Sequence, residues 1–448
     1  MRADAVTDVK NMTQNNVQTP RRLAFELLIK TEKAKQYSNI ALDKALEASA
    51  LSDVDRRLAS ALFYGIIEKK LTLDYRISQL SQRPLSDIDA QTACAIRLGL
   101  YQLIFMEKIP PHAAINESVS LVSRKSSGFV NAILRSHTRS PMLSFPAPTK
   151  EPIEYLSTAY SVCPELCAKF TDTFGFERTE SIFKAISVPV ATTLRVNTLK
   201  ITRDELAERI TAPASTSISP HGLKVCGAVR NIYGFDDGLF FVQDEASQIC
   251  VEALDARPDM TVMDICSCPG SKSFGAAISM ENRGQILSYD LHENKLSLIL
   301  EGARRLGIDI IKVEARDGRS PINELFGKAD RVLCDVPCSG FGVLAKKPEL
   351  RYKNPVDSAS LPDIQLSILE NACNYVRDGG SLVYSTCTVF PEENEQNVQR
   401  FLQKHKDFVL TPFSVGTLSV PSGYITLMPD THGTDGFFIA KLTKRNDK

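Results

Sequence analysis

The sequence predicts a multidomain chain: an all-α N-terminal domain, a small α+β middle domain, and a C-terminal α/β domain whose sheet is doubly wound and mostly parallel. Three observations carry this. From Leu23 to Val122 apolar residues recur at three-to-four-residue spacing, the period of one helix face. Residues 141–150, with Pro141, Pro146 and Pro148, then read as a linker. From about residue 245 the rhythm becomes strand, turn, helix, the pattern of parallel strands with covering helices. A length of 448 residues suits two to four domains, and 43% hydrophobic with 24% charged residues excludes a disordered, collagenous or membrane-embedded chain.

Residues 1–17 are polar, carry Asp4 and Asp8, and lack the apolar stretch of a secretory signal, so they read as a disordered tail on a cytoplasmic protein. Eleven cysteines, an odd number spread over a long chain, argue for reduced thiols. Residues 18–145 form the helical domain. Leu23, Leu27 and Leu28, then Leu58, Leu62, Phe63 and Ile66, then Ile96, Leu100, Leu103 and Ile104, then Ile115, Val119 and Val122 mark successive helices between breakers such as Arg83-Pro84 and Pro110-Pro111.

Residues 146–240 hold the linker, a helical region at about 152–186 and the small α+β domain. Cys163 and Cys167 stand four apart, yet no further His or Cys pair nearby completes four ligands, which favours a structural role over a metal site. Residues 192–200 alternate Thr193, Arg195 and Asn197 against Leu194 and Val196 and read as a strand with one polar face. Residues 241–448 form the α/β domain, with strands at 262–265, 285–289, 308–313, 331–336 and 381–388. Ligands of such a sheet sit at the carboxyl ends of its strands.

The chain has 53 basic and 53 acidic residues, which by itself speaks against a polyanionic partner. The sum hides an asymmetry: residues 1–145 carry 20 basic against 14 acidic, and the remainder 33 against 39. The helical domain is therefore the part suited to a polyanion, with Arg21-Arg22, Arg56-Arg57, Lys69-Lys70 and Arg124-Lys125 as candidates for a shared face, although such pairs are often only solvated helix exteriors.

Two constellations carry chemistry. The first is the run Asp264-Ile265-Cys266-Ser267-Cys268-Pro269-Gly270-Ser271-Lys272-Ser273, a strand entering a tight loop and a helix beginning near Ser271, where backbone N–H groups favour an anion. Its glycine spacing fits neither a dinucleotide fingerprint nor a P-loop. Asp290 follows twenty residues past Gly270 at the end of the next strand, placed to accept from ribose hydroxyls, and Asp317 follows the third strand. Together they point to an adenosine-containing cofactor. The second is Asp335-Val336-Pro337-Cys338-Ser339-Gly340 with Tyr384-Ser385-Thr386-Cys387-Thr388 on the next strand, which brings two thiols and a carboxylate to one cleft. A disulfide is the rival reading, weaker in a reducing compartment.

Two thiols and an acid suit methylation at C5 of a cytosine, a carbon too weakly nucleophilic to attack a methyl donor unaided. A thiolate adds to C6 and activates C5, and a carboxyl group at the base's N3 stabilises the developing charge, either protonated itself or holding a protonated base. The attacking thiol needs its pKa brought down from about 8.5, for which Lys272 or a helix N-terminus is a candidate.

On these residues the C-terminal half resembles the RsmB/Sun family of ribosomal RNA cytosine-5 methyltransferases: DVPCSG (335–340), YSTCT (384–388) followed by Glu392, Glu393, Asn394 and Glu395, VQDEAS (242–247) and DGFFIAKL (435–442). HAAINESV (112–119) and GFVNAILR (128–135) resemble the NusB-like RNA-binding domain that RsmB members carry. The resemblance implies a Rossmann-like class I methyltransferase domain, S-adenosylmethionine as cofactor and 16S rRNA as partner, with no metal, no membrane and a monomeric state expected. It implies Cys387 as nucleophile, Cys338 as the thiol aiding product release, Asp335 in contact with the base and Lys272 close to the reacting centre. It assigns Cys266, Ser267, Cys268, Pro269, Gly270, Ser271, Lys272, Asp290, Asp317 and Asp335 to the cofactor site. Arg195 and Asn197 match the family's RVN segment, and Lys346-Lys347-Pro348-Glu349 its basic-Pro-acid stretch. The same chemistry on another RNA such as tRNA, and a non-catalytic rRNA-binding assembly factor, are the rival readings.

The family loop C-A-A-P-G-G-K-T reads C-S-C-P-G-S-K-S here. Ser271 is the departure with weight, because a glycine there permits positive φ or close approach of the backbone to the cofactor. Cys268 adds a third thiol without an assigned role.

Overall fold

The computed structural model describes residues 18–34 and 38–446. The tail over residues 1–17 lies outside the described residues. The chain divides into two compact units: residues up to Phe176 with Lys347–Lys353, and Glu177–Lys346 with Asn354–Lys448. Among the described residues no helix is long and apolar enough to cross a membrane.

The first unit is helical. Helices α1 (Pro20–Ala34), α2 (Ser38–Glu47), α3 (Asp53–Glu68), α4 (Lys70–Leu80), α5 (Ala90–Phe105), α6 (Pro111–Ser120) and α7 (Arg124–Arg139) follow the expected periodicity. Their starts are set by local chemistry. Ser52 accepts from the Asp55 N–H at the head of α3, and Asp89 accepts from the Thr92 N–H at the head of α5. Helix α5 is the central one, buried from Thr92 to Leu100, and Leu62, Phe63, Ile96, Leu100 and Leu134 share one core. The region 152–186 is three helices rather than one: α8 (Pro152–Tyr160) and α9 (Pro164–Phe174) in this unit, and α10 (Phe176–Ala185), which belongs to the second unit from Glu177 onward, with breaks at Pro164 and at Gly175, φ +81°.

Cys163 caps α9 and Cys167 lies within it; both are buried, and burial pushes Cys163 up to about 11 and Cys167 higher still, so both are structural thiols. Among the described residues no group of three or more His, Cys, Asp or Glu is placed to hold a metal. The segment Lys347–Lys353 is anchored in this unit. The Tyr352 hydroxyl donates to the Ile67 carbonyl, and the fully buried Arg351 pairs with Glu68 at 3.7 Å.

The basic pairs are not equivalent. Arg56 donates to the carbonyls of Leu51 and Ser49, and Lys69 pairs with Glu68 at 2.8 Å. Arg57, Arg124 and Lys125 stand exposed.

The second unit holds two main sheets, a short helix α11 (Arg203–Arg209) and a small antiparallel pair, β11 (Phe413–Val415) with β12 (Leu418–Val420). A four-stranded antiparallel sheet has the order β2 (Ala214–Ser215), β3 (Gly222–Val225), β1 (Thr192–Val196), β4 (Phe240–Val242). The expected polar face of the first strand turns inward. Arg195 is 1% exposed and pairs with Glu252 at 2.6 Å, while Asn197 is fully buried and donates to the carbonyls of Gly238 and Leu306 at 2.9 Å each. Polar alternation signals a wet face only when no partner element covers it; here Glu252 of α12 (Glu245–Leu254) meets Arg195, and the Gly238 and Leu306 carbonyls meet Asn197.

The larger sheet runs β10 (Phe408–Leu410), β14 (Phe437–Lys444), β9 (Val376–Thr386), β8 (Ala329–Asp335), β5 (Thr261–Asp264), β6 (Gln285–Asp290), β7 (Ile311–Ala315), with β13 (Tyr424–Leu427) also on β14. Strands β5 to β9 are parallel, and β14, β13 and β10 add an antiparallel edge. Strand order reverses at β5, so the crevice beyond its carboxyl end is the topological switch point. Val262 faces one core and Met263 the other, as the two-residue strand period requires.

Candidate active site

The loop leaving β5 is tied down on both sides. The Ser267 N–H donates to the Tyr289 carbonyl at 2.8 Å, and the Gly270 N–H to Ser267 at 2.7 Å. Gly270 adopts φ +106°, and a Cβ there would lie 2.6 Å from the Phe274 ring, so glycine is required. Helix α13 (Ser271–Ser279) starts immediately after it, without a side-chain cap. Ser271 is its first residue and lies outside the positive-φ set, which corrects the expectation that serine costs this loop a needed left-handed conformation. The residue that needs positive φ is Gly270, which is present.

Asp264, at the end of β5, is buried; Ser273 donates to it at 2.6 Å, and burial, only partly offset by that bond, raises it to about 7. Asp290 ends β6 and accepts from the Cys268 N–H at 3.1 Å and the His292 N–H at 3.0 Å. Cys268, the unassigned thiol, is pushed up to about 12 by burial and then by Asp290, so it remains a thiol. Cys266 is likewise raised well above its ordinary range by burial. Asp317 lies beyond β7, held below the usual carboxylate range by hydrogen bonds from Arg319, whose guanidinium reaches it at 2.6 Å. It is the member of the cofactor set most occupied by a neighbour of its own. The uncapped first turn of α13, with the amides of Ser271, Lys272 and Ser273, is the part built for an anionic group.

Lys272 and Asp335 meet across the crevice at 2.5 Å. Asp335 ends β8 and also accepts from Ser385 of β9 at 2.7 Å, its register partner. Burial works against the Lys272 ammonium, but the neighbouring carboxylate outweighs it and holds the lysine above its usual range. Its ammonium lies 5.2 Å from the Phe437 ring centroid. Cys387 directly follows β9, and its N–H donates to Cys338 Sγ at 3.2 Å; the two sulfurs are 3.0 Å apart. The hydrogen bond with Cys387, followed by burial, pushes Cys338 well above the ordinary thiol range. It is therefore held as a thiol.

Behind the pair lies a buried scaffold that the sequence assigned no role. Glu393 accepts from the Ser339 N–H at 2.9 Å and from Gln365 at 2.8 Å, and Tyr384 donates to the Glu393 carbonyl at 2.6 Å. Ser339 and Thr388 hydroxyls meet at 2.8 Å, clamping the two cysteine loops together. The Gly342 N–H donates to the Cys387 carbonyl at 2.9 Å, and a Cβ on Gly342 would lie 1.9 Å from the Gly436 carbonyl oxygen.

A family model described as 16S rRNA methyltransferase RsmB/F matches residues 251–443, and one described as NusB family matches residues 18–139. The chain is 38% identical over 451 residues to a Bacillus subtilis protein named "Probable ribosomal RNA small subunit methyltransferase B", covering 95% of this chain and 98% of that protein. It is 31% identical over 409 residues to ribosomal RNA small subunit methyltransferase B of Yersinia pseudotuberculosis, covering 88% and 92%. Among solved structures, PH0851 matches with TM-score 0.77 at 26% identity over 96% of this chain and 99% of that one. NSun6 from Pyrococcus horikoshii, solved with SFG, matches with TM-score 0.57 at 25% identity over 63% of this chain and 98% of that one.

Proposed function

The chain belongs to the RsmB/F family of 16S rRNA methyltransferases, and on that premise we propose that it methylates C5 of a cytosine in small-subunit rRNA through a covalent bond between Cys387 and C6. The observation that supports this reading most is the contact of Cys338 with Cys387, 3.0 Å between sulfurs, in the same crevice as the Lys272–Asp335 pair. S-adenosylmethionine, when bound, supplies an electrophilic methyl group. The first-turn amides of α13 suit its carboxylate, Asp290 its ribose hydroxyls, and Asp317 its adenine edge.

The chain's own residues do the rest. The Cys387 thiolate forms a bond to C6, and the electron pair of the C5–C6 double bond becomes available at C5. Asp335, already paired with an ammonium, acts as an acceptor at the base's N3 edge rather than as the group that protonates it. After methylation a base removes the C5 proton, the electron pair returns to the ring, and the sulfur leaves C6. Cys338, held as a thiol, is the group beside the departing sulfur. The target cytosine must be unstacked to enter, which favours a loop nucleotide. The helical unit positions the RNA backbone, and the protein acts as a cytoplasmic monomer.

The test is methyl transfer from labelled S-adenosylmethionine to unmodified small-subunit RNA, with the product base identified. The wild type forms 5-methylcytosine and Cys387→Ala forms none; transfer that survives Cys387→Ala overturns the nucleophile.

A further inference from the structure

A cavity of about 310 Å³ opens beside the start of α13, walled by Val190, Val242, Gln243, Asp244, Ser271 and Lys346 among others. Its two valines are 51% and 50% exposed, which leaves a paired apolar surface in water. Gln243 is 3% exposed. Its amide nitrogen donates to the Ser271 carbonyl at 2.9 Å, which fixes the orientation of the amide, and its Oε1 is buried without a hydrogen-bond partner. A buried acceptor left without a donor carries a desolvation cost that a ligand's N–H would recover. Asp244 adds negative charge, its oxygens already engaged by the Ala246 N–H at 2.9 Å and by Lys346, which also pairs with Asp435 at 2.9 Å.

The cavity adjoins the reacting centre by two routes. Ser271 precedes Lys272 on α13. Lys346 reaches Asp435, two residues before the Phe437 that underlies the Lys272 ammonium.

We propose that this cavity takes the nucleobase of a nucleotide adjoining the target cytosine and selects a base that presents an amine. The inference rests on the reading that RNA enters the crevice at Lys272 and Cys387. The valines supply an apolar surface for the ring face. The Gln243 Oε1 is an acceptor without a donor, so an exocyclic amine satisfies it, whereas the O4 of a uracil would set acceptor against acceptor. Ser271 lies on the cavity wall beside Gln243, its carbonyl accepting from the Gln243 amide nitrogen.

The experiment uses the full chain, without methyl donor, and nine-nucleotide RNAs with one central cytosine whose 5′ or 3′ neighbour is adenosine, uridine or abasic. On one side adenosine binds about tenfold more tightly than uridine or the abasic residue, the order expected for one stacked and hydrogen-bonded base. Gln243→Leu removes the acceptor and Val190→Trp fills the cavity from an exposed position; either brings the adenosine-to-uridine ratio to within twofold. Equal binding of all RNAs by the wild type, or a tenfold ratio that survives Val190→Trp, overturns the proposal. Methyl transfer to the same RNAs separates the two readings: transfer without base preference overturns the cavity assignment alone, and base preference without transfer overturns the methyltransferase reading alone.

Discussion

Cys338 and Cys387 stand 3.0 Å apart at their sulfurs, and the backbone N–H of Cys387 donates to the sulfur of Cys338. The contact joins two loops forty-nine residues apart in sequence, and the Ser339–Thr388 and Glu393–Ser339 hydrogen bonds hold it in place. A thiol pinned against a second thiol, with burial opposing its ionisation, is suited to give its proton or a hydrogen bond to the neighbour's sulfur.

The first prediction concerns that division of labour. Cys338→Ala leaves Cys387 able to attack C6 but slows its departure, so a protein–RNA adduct accumulates in the presence of S-adenosylmethionine and migrates slowly on a denaturing gel. The double variant Cys338→Ala/Cys387→Ala forms no such species. Absence of the adduct from the single variant would remove Cys338 from product release.

The second concerns the Lys272–Asp335 pair. Asp335→Asn leaves a lysine with 11% side-chain exposure facing no carboxylate, a loss on the order of 3–5 kcal/mol for a buried ion. Turnover should fall by about 10²–10⁴. Adding Lys272→Met removes the stranded charge, so the double variant should melt higher than Asp335→Asn alone while remaining inactive. Thermal unfolding of the wild type, Asp335→Asn, Lys272→Met and the double variant checks this; additive losses would show that the ion pair is not the unit that matters.

The helical domain was legible because its apolar residues keep one period, and Leu62, Phe63, Ile96 and Leu134 all lie in its core. The two cysteine loops were legible because strand ends of a parallel sheet converge whatever their separation in sequence. Three things were not. The inward turn of Arg195 and Asn197 depends on covering elements that strand alternation does not report. The burial of Glu393 behind Ser339 and Gln365 depends on the fold of a loop after β9. That no positive φ is asked of Ser271 depends on which of two consecutive residues takes it, and only the fold assigns it to Gly270.

The third prediction uses Asp264, whose carboxyl is raised to about 7 by burial. An acid with a folded pKa above its unfolded value binds more protons when folded. Its stabilising contribution is present below about pH 4 and is lost as pH rises through 7, with a slope of up to about 1.4 kcal/mol per pH unit. Asp264→Asn should flatten the stability profile between pH 4 and 7, read by urea unfolding at several pH values. An unchanged slope would assign the pH dependence elsewhere, with Asp435, also raised to about 7 chiefly by burial, the next group to test.

The fourth concerns the seam between the two sheets. Asn197 donates to the Gly238 and Leu306 carbonyls and accepts from the Leu199 N–H. Asn197→Ala leaves two buried carbonyls unpaired, at about 1–3 kcal/mol each before relaxation, and frees the N–H of the half-buried Leu199. A fall of several degrees in Tm with KM for RNA unchanged is expected; a raised KM without a stability loss would give Asn197 a role in RNA binding instead.

The last concerns the charge asymmetry. Of the basic pairs in the helical unit, Arg57, Arg124 and Lys125 are exposed, while Arg56 and Lys69 are bound to partners of their own. If the excess of positive charge before residue 145 serves RNA binding, it acts through the exposed members. Each phosphate contact adds about 0.7–0.9 to the slope of log affinity against log salt. Arg124→Ala/Lys125→Ala should therefore lower that slope by between one and two in the full chain, and weaken RNAs of different sequence alike. Turnover at saturating RNA should be retained, because Cys387 and Asp335 are untouched. A slope equal to the wild type's would mean that this pair is only the solvated exterior of α7, and would shift attention to Arg57.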